Sequence, residues 1–164
     1  MCVIGNAETI LINGKMIELR NLRKGDVLEN GSTVMLVIKY MVDRVYLCDI
    51  GGIWITPWHP IDYYGIWELP NTISKPVLVS TGGCIVDLIL RPGSFQHFNV
   101  FSKFDKIIKC VGMAHEQITP RNGYWGTRKV LEDFRQHPEY ESGVLHLRNT
   151  VIHMIDDSVI AQSW

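Results

Sequence analysis

Four short stretches of the chain carry side chains that can form covalent bonds or move protons. Gly52-Ile-Trp-Ile-Thr56-Pro-Trp-His59 ends an apolar run with a hydroxyl and an imidazole. Cys84-Ile-Val-Asp87-Leu88 sets a carboxylate inside a strand-like segment, and His97-Phe-Asn-Val follows a short loop. Lys106-Ile-Ile-Lys-Cys110-Val-Gly-Met-Ala-His115 adds a thiol and another imidazole. Cys2 stands at the front, before any regular structure can begin. Thiol, hydroxyl, imidazole and carboxylate are the parts of nucleophilic and acid–base catalysis. A free thiol with a pKa of about 8.5 is mostly protonated at neutral pH, so a cysteine nucleophile needs a base or a strained target. A histidine titrating near neutrality can take and return the proton.

Each of these residues also has a plainer reading. A lone His after a strand is more often a hydrogen-bonded structural residue, and a strand-end Asp more often pairs with a nearby Lys or Arg. Cys48, Cys84 and Cys110 lie in strand-like contexts, where buried structural thiols are the default. His137 precedes the helix stop at Pro138, where a helix C-terminus favours an imidazolium, and His146 and His153 read as surface or packed positions. His59, His97 and His115 have no metal-ligand spacing, so no metal and no cofactor is expected. Trp54, Trp58 and Trp67 read as walls of the core around the Thr56–His59 stretch.

The elements that must position these groups read as short strands punctuated by turns. Thr9–Ile12 and Met16–Leu19 flank Asn13-Gly14, a two-residue type I′ hairpin signal. Lys24-Gly25-Asp26 and Asn30-Gly31 bracket Val27-Leu28 and lead into the apolar run Thr33–Met41. Arg44–Ile50 and Ile53–Thr56 surround Gly51-Gly52. Further strands are expected at Ile61–Tyr64, Pro76–Ser80, Cys84–Leu90, Phe98–Phe101 and Lys106–Gly112. This spacing predicts an all-β fold. Beyond residue 120 a helix over 127–136 is expected, N-capped by Thr127 with Val130, Leu131 and Phe134 on its apolar face. A strand over 143–148 and a weakly patterned segment over 149–164 follow.

Composition narrows the function classes. The chain has 164 residues, 46% hydrophobic and 20% charged, with a formal net charge of −1, which fits one globular domain. No basic excess exists to displace counterions from a nucleic acid. No apolar run approaches the ~20 residues that span a bilayer. The four cysteines are widely spaced, without the pattern of a disulfide framework or zinc finger. The front of the chain lacks the basic region of a signal peptide. A monomer in a cytoplasmic setting is slightly favoured.

Cys2 at the start, Gly25-Asp26, Thr56-Pro-Trp-His59, Val86-Asp87-Leu88 and His115 occur in an order that resembles the Hint (Hedgehog/intein) superfamily. Ile55-Thr-Pro-Trp-His-Pro-Ile61, Gly65-Ile-Trp-Glu-Leu-Pro70, Tyr124-Trp-Gly-Thr127 and Glu141-Ser-Gly-Val144 are similar, more narrowly, to the Vint variant found after von Willebrand A domains. The resemblance runs to about residue 148. It implies a compact, horseshoe-like, pseudo-two-fold Hint fold, with an autoprocessing core over 1–118 and a C-terminal extension over 119–164 packed on it.

The resemblance also implies a reaction. The Cys2 thiol attacks the carbonyl before it, an N–S acyl shift that turns the Met1–Cys2 amide into a thioester. Hydrolysis or an external nucleophile then cleaves the thioester. Thr56 and its neighbouring N–H would stabilise the oxyanion, His59 would protonate the leaving nitrogen, Asp87 would assist, and His115, with possible support from His97, would back the site. The substrate would be the module's own upstream flank, of von Willebrand A type, and the acceptor water or a small nucleophile. Inteins end in His-Asn, whereas His115 here is followed by Glu116, so splicing is not expected. A catalytically silent interaction module is the alternative.

Overall fold

The computed structural model describes residues 1–153 and 157–164. Chain order runs through β1 (Val3–Ile4), β2 (Glu8–Ile10), β3 (Met16–Glu18), β4 (Val34–Met41), β5 (Arg44–Ile50), β6 (Ile53–Ile55) and β7 (Ile61–Tyr63). It continues through β8 (Ile66–Glu68), β9 (Val77–Ser80), β10 (Cys84–Leu90), β11 (His97–Phe101), β12 (Ile107–Val111) and the helix α1 (Arg128–Phe134). The strands β13 (Val144–Leu147), β14 (Val151–Ile152) and β15 (Val159–Ala161) complete it.

Turn chemistry explains where the strands stop. Gly51 and Gly52 both take positive φ (+60° and +90°) and Ile50 faces Ile53, a two-residue primed turn. The Asn13-Gly14 expectation is corrected: only Gly14 has positive φ (+86°). Leu11 N–H donates to the Lys15 carbonyl at 2.9 Å and Gly14 N–H to that of Leu11 at 2.8 Å. The loop is therefore a longer one closed by a glycine bulge, with Asn13 Oδ1 taking the Lys15 N–H at 2.9 Å. Val27-Leu28 forms only isolated bridges, to Thr33 and Leu11. The turn between β7 and β8 was not expected, because Tyr64 (φ +52°) adopts the left-handed conformation usually left to Gly or Asn.

Helix α1 is shorter than the expected 127–136. Bonds from Gln136 N–H to the Asp133 carbonyl (3.1 Å) and His137 N–H to that of Phe134 (2.9 Å) tighten its end into a different winding. Thr127 holds the N-cap position without capping, because its hydroxyl donates to the Tyr124 carbonyl at 2.8 Å. Glu116, distant in sequence, supplies the cap: its Oε1 accepts the Arg128 N–H at 2.9 Å.

Two sheets face each other. One has seven strands in the order β13-β4-β10-β1-β6-β5-β9, and the other six in the order β3-β2-β11-β12-β7-β8; β14 and β15 form a separate ribbon. Strand β10 lies inside the larger sheet with all its residues buried. Alternation sends Val86 and Leu88 into the core shared with Phe98, Val100 and Ile108 of the smaller sheet. The same alternation sends Ile85 and Ile89 to the opposite face, where Met1, Cys2, Trp125, Val130, Phe134, Leu145 and Leu147 form a second core. Asp87 shares the parity of Ile85 and Ile89. The chain beyond residue 118 therefore covers the face on which Cys2 and Asp87 stand, and β13 joins the larger sheet, parallel to β4.

Candidate active site

Strand pairing brings the front of the chain to Thr56. Val3 of β1 pairs with Ile55 of β6, and the ladder continues one residue on, where Thr56 N–H donates to the Cys2 carbonyl at 2.9 Å. The Thr56 hydroxyl also donates to that carbonyl, at 3.1 Å, and accepts the Cys2 N–H at 2.8 Å. Both Thr56 donors thus hold the peptide after the Met1–Cys2 bond, whereas the oxyanion role requires the carbonyl before it. What Thr56 does contact at the expected bond is its nitrogen.

His59 follows Pro57 and Trp58 into the interior and has no exposed surface. Its Nε2 lies 2.7 Å from the Val111 carbonyl. A carbonyl can only accept, so Nε2 carries the proton and Nδ1 keeps its lone pair. Nδ1 is buried without a hydrogen-bond partner among the described residues. Burial, then the positive charge on the Met1 nitrogen, pushes the imidazole down to about 3. The expectation of a histidine titrating near neutrality is corrected: at neutral pH His59 is an uncharged base.

Asp87 is fully buried in β10. Its Oδ1 accepts the Leu88 N–H at 2.7 Å, and its Oδ2 has no partner among the described residues. Burial raises its carboxyl well above the usual range, against the pull of the Met1 charge. Burial thus disfavours its charged form. Cys2 is also buried. Burial raises its thiol, Asp87 adding to the effect and the Met1 nitrogen opposing it. The resting centre is a protonated thiol and a neutral imidazole, beside a carboxyl whose charged form burial disfavours. No group of three His, Cys, Asp or Glu able to hold a metal occurs among the described residues.

His115 stands apart from this group. Ala114 and Glu116 on either side take positive φ (+58° and +60°), and their N–H groups donate to the Trp125 and Gly126 carbonyls at 2.8 and 2.9 Å. His115 Nδ1 accepts the Ile118 N–H at 3.1 Å, and its Nε2 lies where a Cβ on Gly126 would come within 3.0 Å. Its charge is felt at His59, yet it contacts the 118–126 segment. His97 contributes its ring to Phe95 and Trp67, at 5.2 and 6.5 Å, and its charged neighbours are Lys109 and Asp62. Cys48, Cys84 and Cys110 are free and buried.

Two groups at the site, Asp157 and the Val111 carbonyl, carried no sequence signal. Asp157 binds the Met1 nitrogen through Oδ2 and lies in the weakly patterned terminal segment. Trp125 fixes it, donating Nε1–H to the Asp157 carbonyl at 2.7 Å. The Val111 carbonyl that sets the His59 tautomer is backbone, which residue type does not reveal.

Acid should expose the buried imidazole. The folded pKa of His59 (about 3) lies below the ordinary 6.5, so its contribution is complete above pH 6.5 and is lost as pH falls towards 3. Between pH 7 and pH 5 the loss should be about 2 kcal/mol, read by urea unfolding at the two pH values. His115, held down to about 4 chiefly by burial, acts in the same direction. His59→Gln keeps an N–H for Val111 and should flatten the dependence; an unchanged slope would contradict it.

An all-β fold of two facing sheets, with a buried Cys near the front held by a Thr-x-x-His segment, defines a Hint-class module. The Vint family model, a Hint domain, matches residues 1–159. The chain belongs to the Vint family of Hint domains, which carries Hint-type self-processing or interaction as its class of function. No curated protein matches the chain.

Proposed function

We propose that this module cleaves the peptide bond before Cys2 when a chain is attached upstream of Met1. The observation that carries the reading is the Thr56 hydroxyl at 2.8 Å from the Cys2 nitrogen, beside an uncharged, lone-pair-bearing His59. His59 Nδ1 takes the thiol proton as Sγ adds to the Met1 carbonyl carbon. The proton then reaches the Cys2 nitrogen, with Thr56 as the relay in contact with that atom. The C–N bond breaks, leaving a thioester between Met1 and Sγ and a free amine on Cys2. Asp87, on the same face of the sheet, can donate in its protonated form to the developing oxyanion, where one aimed donor is worth ~10²–10³ in rate. Water or a small nucleophile then attacks the thioester, releases the upstream flank and restores the thiol. The flank is of von Willebrand A type, and the module turns over once.

Thiolysis tests this. A fusion with a reporter before Met1, incubated with dithiothreitol or hydroxylamine, should release the reporter at a rate that rises with nucleophile concentration. An intact fusion after days would contradict it. That result would favour the silent module, a reading supported by the deep burial of the Cys2 thiol.

A further inference from the structure

Met1 is buried as deeply as the groups around it, with 2% of its surface exposed. Its side chain lies among Ile38, Ile85, Met113, Trp125 and Leu147, and the space left over is about 10 Å³, at most one water. Its nitrogen donates to Asp157 Oδ2. Asp157 is itself held in place: φ is +60°, its N–H donates to the His153 carbonyl at 2.9 Å, and its carbonyl accepts from Trp125. Tyr40 and Ile152 line both the Met1 enclosure and a cleft of about 220 Å³ that Asp157 and Thr56 also line. This cleft offers a chain extended beyond Met1 a way out, and in such a chain the Met1 nitrogen is a peptide N–H that Asp157 can still accept.

We propose that the module reads the residue before its own scissile bond: an apolar subsite holds that residue's side chain and the Asp157 carboxylate clamps its N–H. The proposal rests on the self-processing reading and names its substrate requirement. Medium-sized apolar side chains fill the enclosure. A charged one loses hydration without a partner, and a Trp exceeds the space. Asp157 is a positioning residue, holding the carbonyl of residue 1 in line with Sγ.

The test uses the full chain with a reporter fused before Met1. Thiolysis of Met1→Leu should stay within about threefold of the parent, while Met1→Asp and Met1→Trp should fall about tenfold or more. Asp157→Ala should fall about tenfold, and Asp157→Asn, whose amide oxygen still accepts the N–H, should recover most of the rate. On a Met1→Pro background, which lacks the N–H, Asp157→Ala should have no further effect. Equal rates across the residue-1 series, or Asp157→Asn as slow as Asp157→Ala, would overturn the proposal. Hydrogen exchange on the Cys2→Ala fusion reads the clamp without the reaction. The residue-1 amide should be protected about 10²-fold, and Asp157→Ala should remove that protection; an unprotected amide overturns the clamp whatever the rates. A parent fusion that never cleaves sinks the self-processing reading, and the exchange result then decides the subsite by itself.

Discussion

Cys2→Ala in a fusion with an upstream reporter should leave the chain intact over days in dithiothreitol, and His59→Ala should slow its release by ~10²-fold or more. The first loss is complete because no other thiol is placed on the scissile carbonyl: Cys48 Sγ bonds the Ser74 carbonyl at 3.2 Å, and Cys84 and Cys110 pack in the opposite core. The second follows from the resting protonation states. Burial keeps the Cys2 thiol protonated, so attack requires a base, and His59 Nδ1 is a buried lone pair with no other partner among the described residues. His59→Gln separates base from scaffold, since its amide can donate to Val111 but cannot carry a proton. Release by His59→Gln should be as slow as by His59→Ala, with a melting temperature closer to the parent. Release at the parental rate in either variant would remove His59 from the chemistry.

A chain ended at residue 118 should neither fold stably nor cleave. It would lack Trp125, Val130, Phe134, Leu145 and Leu147, all buried against Met1, Cys2 and the outer face of the larger sheet. Side chains of this size contribute about 2 kcal/mol each by burial, together comparable with the about 5–15 kcal/mol that stabilises a whole domain. It would also lose β13, exposing the edge of β4, and Asp157. Circular dichroism and thiolysis of the shortened fusion check this. A folded, cleaving 1–118 fragment would show that the reacting centre is complete without the later segment.

Local chemistry made most strands legible. Arg44–Ile50 ends at a glycine turn and Cys84–Leu90 starts at one, and their bounds match the observed β5 and β10. The β7–β8 hairpin was not legible, because its turn residue Tyr64 takes a conformation that its side chain disfavours. Thr127 reads as a cap, yet the bond to Arg128 comes from Glu116, a tertiary contact that no local pattern encodes. At the site, the order of Cys2, Thr56, His59 and Asp87 could be read as motifs, and the structure places the four together. Their ionisation could not be read, because it follows from burial: a histidine expected to titrate near neutrality sits at about 3. Asp157 and the Val111 carbonyl had no spacing signal at all.

Self-processing stands or falls on which bond breaks. The reporter fusion, incubated with dithiothreitol and resolved by intact mass and N-terminal sequencing, identifies that bond. Two products should form, an upstream fragment ending at Met1 as a dithiothreitol thioester and a downstream fragment beginning with Cys2 and a free amine. An uncut fusion, or a downstream fragment that begins at any other residue, would contradict it.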